Sequence, residues 1–147
     1  MTHFVEKKLI PEEILKDSLL AHVAAAYFAV GKRLERKTRC SATRGFILGT
    51  LRGGVSLNQN QIAVRLGLDR TVVHRAIKTM VQEGLVSEKK ALAGKALLAQ
   101  LTAKGQKYRE QLIKARRAAD EKLRQELPPE DQATLLRLLK VVAELEF

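Results

Sequence analysis

The sequence predicts a mainly α fold with one small β-hairpin, and three observations predict it. Two short, separately capped helices, beginning at Asn58 and Asp69, have only Gly67-Leu68 and the second cap between them. Two plausible short strands, Leu85–Lys90 and Ala96–Leu101, follow at once and fit a hairpin with Ala91–Lys95 as its tip. Longer amphipathic stretches stand on either side. Two helices joined by a three-to-four-residue turn containing Gly, with a hairpin behind them, make a winged helix-turn-helix.

In chain order, Pro11-Glu12-Glu13 starts the first helix, since Pro suits the first helical position and acids suit the positive end of the dipole. Apolar residues recur with helical spacing from Ile14 to Val30, so this helix is expected to run from Pro11 to about Arg36. Its apolar face is wide, which fits a buried or subunit-facing helix. Lys37–Ala42 is a polar break, and Arg44–Arg52 reads as a second, short helix ended by Gly53-Gly54. Gly45, Gly49 and Gly53 fall four apart, a spacing that predicts close helix packing through small residues. It is no phosphate loop, because no Gly-Lys-Ser/Thr follows.

Asn58 caps the third helix, with Gln61 placed to complete a capping box, and Gly67 stops it. Asp69 caps a fourth helix running to about Glu83, with Val73, Ile77 and Met80 facing inward. Gly84 ends it. After the hairpin, Thr102 caps a long basic fifth helix to about Glu126. Leu127-Pro128-Pro129 breaks the chain, and Pro129 starts a sixth helix with a weak cap at Pro128.

The 147 residues suffice for one domain. The net charge is +11. Residues 120–147 hold four basic residues against seven acids, a net −3, so residues 1–119 carry +14. Such a surplus points to a polyanion, because Lys and Arg neutralise phosphates and release condensed counterions. Aromatic residues make up only 4% and Trp is absent, which argues against a single-strand binder built on stacking platforms. One cysteine, Cys40, allows no intrachain disulfide, and a cytoplasmic, nucleoid-associated location is expected. No signal peptide is read in Met1–Lys8, and Leu19–Val30 is too short to span a bilayer, so no membrane partner is expected.

The stretch from Leu57 to Gly105 resembles the MarR family of regulators. The resemblance rests on Leu57-Asn58-Gln59-Asn60-Gln61-Ile62-Ala63 and on Leu66-Gly67-Leu68-Asp69-Arg70-Thr71-Val72-Val73-His74-Arg75. Gly84-Leu85-Val86 and, about fifteen residues later, Leu101-Thr102-Ala103-Lys104-Gly105 are its more specific landmarks. It implies an obligate homodimer held by the first, fifth and sixth helices, pseudo-palindromic operators, and repression relieved by a small molecule. It implies a division into an N-terminal dimerisation helix (1–40), a DNA-binding lobe (41–101) and C-terminal dimerisation helices (102–147). The wing departs from the family: Ala93-Gly94-Lys95 stands where an acid-x-Arg signature is usual, and Asp69 where Ser is the usual cap.

With Val73, Ile77 and Met80 inward, helical geometry turns Arg70, Thr71, His74, Arg75 and Lys78 outward, against base edges in a major groove. Arg70 or Arg75 suits guanine, Thr71 a phosphate or thymine methyl, and His74 either sense of hydrogen bond. Asn58, Gln59 and Asn60, at a helix start, are expected to position the phosphate backbone. Lys89, Lys90 and Lys95 lie in a stretch from Lys89 to Arg109 that has no acid, and would meet backbone or minor groove. A symmetric dimer would address half-sites roughly 34–36 Å apart.

No Ser, His or Cys constellation suggests catalysis, and no cofactor is expected. His3, His22, His74 and Cys40 have no metal-ligand spacing. His22 reads as a structural or interface histidine, or as part of the effector pocket that the resemblance implies. Cys40, with Arg39 and Arg44 nearby, is an inert thiol or one whose thiolate those charges favour. Two functions fit this sequence: an effector-responsive repressor, favoured by the recognition helix, or a nucleoid-type architectural protein, favoured by the reduced wing signature. A protein-interaction module fits less well with +14 on residues 1–119.

Overall fold

The computed structural model describes residue 13 and residues 16–146. In order come α1 (Leu19–Thr38), α2 (Ala42–Thr50), a 3-10 turn (Arg52–Gly54), α3 (Gln59–Leu66) and α4 (Arg70–Gln82). The hairpin β1 (Val86–Lys90) and β2 (Leu97–Leu101) follows, then α5 (Ala103–Glu126) and α6 (Pro129–Glu144). The strands pair antiparallel from Val86↔Leu101 to Lys90↔Leu97. Leu57 extends this sheet by one bridge, exchanging backbone hydrogen bonds of 3.1 and 2.8 Å with Ala99.

The side-chain caps at Asn58, Asp69 and Thr102 stand where the sequence places them. Asn58 and Gln61 form a complete capping box, with Asn58 Oδ1 accepting from Gln61 N at 2.8 Å and Gln61 Oε1 from Asn58 N at 2.9 Å. Gly67 ends α3 at φ 61°, a left-handed conformation that costs glycine nothing because it has no Cβ. This turn lets α4 start two residues later, at the Asp69 cap.

The first helix corrects the expectation. It does not run unbroken to Arg36 from Pro11, which lies outside the described residues. Lys16 and Asp17 form a turn, and Ser18 begins α1 afresh by accepting a hydrogen bond from Ala21 N at 3.1 Å. A serine hydroxyl satisfies one of the orphan amides of a helix start, and this local bond prevails over continuous apolar spacing. At the far end α1 extends through the polar residues to Thr38. Likewise α2 begins at Ala42, capped by Ser41, and its expected last turn is the 3-10 turn.

The core sits in the lobe. Ile47, Leu48, Leu51, Ile62, Val73, Ile77, Met80 and Val86, from α2, the residue after it, α3, α4 and β1, are completely or almost completely shielded. Neither α1 nor α6 contributes a buried residue. The expected close packing of Gly45 and Gly49 is not found: a Cβ at either would meet nothing within 4 Å, because both face an open groove. The tight approach is at Gly105, where a Cβ would fall 1.9 Å from the Leu85 carbonyl oxygen. There Thr102 N also donates to Leu85 O (3.1 Å) and Thr102 Oγ1 to Gly84 O (2.6 Å). The Gly84-Leu85-Val86 and Leu101–Gly105 landmarks are thus two sides of one contact, which locks the wing's first strand to the start of α5.

Candidate nucleic-acid interface

The inner face of α4 is set by Val73, Ile77 and Met80, all with zero exposure. Its opposite face therefore cannot turn inward, and Arg70, Thr71, His74, Arg75 and Lys78 are all exposed on it. Two arginines, a lysine, a hydroxyl and an imidazole share this face. The Asp69 cap accepts from Thr71 N at 2.7 Å. That backbone bond, foremost, holds the Asp69 carboxyl below its ordinary value and keeps a negative charge at the positive end of the helix.

Asn60 is exposed at the start of α3, while Asn58 is half-buried and spent on its capping box. Gln59 does something the sequence did not reveal. Its Nε2 donates to Glu88 Oε2 on β1 at 3.2 Å, and its Oε1 lies 3.0 Å from His74 Nδ1 on α4. One side chain thereby ties the outer face of α4 to the wing. Lys89, Lys90 and Lys95 are exposed on the hairpin, whose tip is closed by Ala91 N donating to Ala96 O at 3.0 Å.

The far end of α4 is anchored separately. Arg44 on α2 makes a two-pronged ion pair with Glu83, the residue that ends α4, and Lys104 Nζ donates to Glu83 O at 2.8 Å.

Behind the lobe, α1, α2, α5 and α6 enclose a groove of about 800 Å³. Its wall is apolar, formed by residues such as Val23, Tyr27, Phe46, Leu112 and Leu135, and His22 stands on it as well. His22 is exposed, and its Nδ1 lies 2.8 Å from Ser18 O. Arg116 stands over the Phe46 ring at 6.0 Å, and Arg109 Nε is buried without a hydrogen-bond partner. Cys40 also faces the groove but is nearly shielded. Burial, outweighing its Tyr108 hydrogen bond and the Arg44 charge, pushes its thiol above the ordinary value, so a thiolate favoured by the arginines is corrected to a disfavoured one. Among the described residues no group of three or more His, Cys, Asp or Glu could hold a metal ion, and no helix is long and apolar enough to cross a membrane.

These elements, in this order, define a winged helix-turn-helix fold with α4 as the second helix of the pair. Residues 43–94, about a third of the chain, match the model of the MarR family. Solved structures extend the likeness to the flanking helices. The transcriptional repressor CouR bound to a 23-mer DNA duplex superposes with a TM-score of 0.80 at 18% identity, covering 92% of this chain and 99% of its own. The PcaV transcriptional regulator from Streptomyces coelicolor, in complex with its natural ligand, gives 0.75 at 19% identity, over 86% and 93%. Wild-type MarR from E. coli, in its apo form, gives 0.70 at 21% identity, over 91% and 98%. A search of curated protein sequences gives no match.

Proposed function

We propose that this chain is a transcription regulator, a repressor that binds a pseudo-palindromic operator in duplex DNA as a homodimer. The observation that carries the reading is the outer face of α4. It is held outward by three wholly shielded residues and offers Arg70, Thr71, His74, Arg75 and Lys78 together. A helix so presented fits a major groove about 12 Å wide. Asn60 and the lysines of the wing then meet phosphates, which position without specifying. That CouR, which shares this fold, is bound to a 23-mer DNA duplex supports duplex DNA as the partner.

The groove behind the lobe is the place for a small-molecule effector, with His22 on its wall; the natural ligand bound by PcaV, which shares this fold, supports an effector, and the apolar wall of the groove supports the place. A reducing cytoplasm suits the single cysteine, and no catalytic step is assigned to the chain. The test is competition of a labelled operator, selected from genomic fragments, against random duplex. Specific binding appears as a preference of about 1,000-fold or more for the operator. Comparable affinity for both would leave an architectural protein instead. Arg75→Ala is expected to weaken operator binding by about 1–3 kcal/mol, measured at one fixed salt concentration.

A further inference from the structure

His74 carries the one ring on the recognition face, and an uncharged imidazole can read a base edge in either sense. Which sense applies depends on which ring nitrogen carries the hydrogen. Here the neighbours decide it. The Glu88 carboxylate has no hydrogen to give, so the Gln59 atom 3.2 Å from it is the amide nitrogen. That orientation turns the Gln59 carbonyl oxygen toward His74, 3.0 Å from Nδ1. A carbonyl oxygen only accepts, so Nδ1 is the donor. A neutral imidazole has a single N–H, and Nε2 is left with its lone pair.

We propose that Glu88 and Gln59 hold His74 in the Nδ1–H form, so that its Nε2 selects a base bearing an exocyclic amine, adenine or cytosine. In the major groove adenine N6 and cytosine N4 are the donors, whereas guanine N7 and O6 and thymine O4 accept. An acceptor aimed at guanine or thymine leaves two lone pairs facing each other. Gln59 is therefore a positioning residue, not the phosphate contact its place at a helix start implies. Glu88 is the one acid on a wing strand that ends in two lysines, and its carboxylate is what orients the amide. The proposal rests on the DNA-binding reading above.

Two measurements test it. The first is the 15N ring spectrum of His74 in the full chain, followed to a pH at which the ring no longer gains a proton. The expected result is hydrogen on Nδ1, with Glu88→Gln shifting the spectrum toward a tautomer mixture because a glutamine can also donate. The second is selection from randomised duplexes. The wild-type chain is expected to prefer adenine or cytosine about ten-fold at one position in each half-site. His74→Ala abolishes the preference at that position alone. Glu88→Gln weakens it while leaving the salt dependence of binding unchanged. Hydrogen found on Nε2 overturns the proposal, as does a His74-dependent preference for guanine or thymine, or a His74→Ala profile identical to wild type. A wild-type chain that binds no duplex at low ionic strength overturns the proposed function, and the base preference with it, whatever the ring spectrum shows.

Discussion

The lobe and its helical flanks are built on opposite terms. In the lobe, thirteen buried apolar residues between Cys40 and Ala99 close on one another, and every helix end there has a cap or a glycine turn. In the flanks, α1 and α6 bury nothing completely, while Leu19 (87% exposed), Leu20 (63%), Leu136 (59%) and Leu145 (53%) face outward. A monomeric protein seldom leaves that much apolar surface in water. A helix isolated from tertiary packing is also marginal. The difference teaches that the chain has a core of its own only in the winged-helix lobe, and that the flanks await a second surface. The second copy proposed above would supply one, with the same faces self-complementary about a two-fold axis.

The contrast breaks first at Gly105, the point where flank and lobe are joined. A methyl group there would overlap the Leu85 carbonyl, which is backbone and cannot rotate aside. Gly105→Ala is expected to destabilise the chain by more than about 3 kcal/mol, seen as a large fall in the denaturation midpoint. If stability is unchanged, α5 does not press on the wing as described. At Gly45 and Gly49, inside α2 where a Cβ meets nothing, Ala substitutions should stabilise the chain slightly, by about 0.5–1 kcal/mol each, and raise the midpoint.

Leu136→Lys sharpens the contrast from the other side. That leucine is already more than half exposed in the single chain, so the lobe should keep its stability. A buried lysine at a two-fold interface has no partner, and sedimentation should show the dimer shifting to monomer. Operator affinity should fall at least ten-fold, about 1.4 kcal/mol, because the half-sites are then bound singly. A Leu136→Lys dimer of unchanged affinity would remove α6 from the interface.

Within the lobe, Asn58→Ala removes one half of the capping box and should cost about 1 kcal/mol in thermal or denaturant unfolding, with a small loss of DNA affinity. This prediction was available before the structure, and the reason is instructive. Caps act over three residues, so Asn58 with Gln61, Asp69 and Thr102 were legible, and so were Val73, Ile77 and Met80 from their spacing. Ser18 carried the same kind of signal, but the unbroken apolar period from Ile14 to Val30 concealed it. What could not be read was contact across distance. Gly105 was recognisable as a landmark while the Leu85 carbonyl it accommodates was not. Gln59 bonds partners fifteen and twenty-nine residues away, and nothing in its own neighbourhood distinguishes it from a phosphate contact.

The smallest effect concerns Cys40, which sits where the two regions meet. Arg39 and Arg44 lie close in sequence and argue for a reactive thiolate, yet burial outweighs them and raises the thiol above its ordinary value of 9.0. The neutral thiol is the form that suits the folded chain. Its contribution to stability is therefore intact below the unfolded value and is withdrawn as pH rises from there through the folded one. Alkylation by iodoacetamide at neutral pH should run well below the rate of an exposed cysteine. It should go on climbing past pH 9.0, where an ordinary thiol levels off. Because Cys40 lies on the groove and not on α4, Cys40→Ser should leave operator affinity close to wild type. Fast alkylation at neutral pH would instead mean that the lobe and α1 part often enough to admit water at their junction.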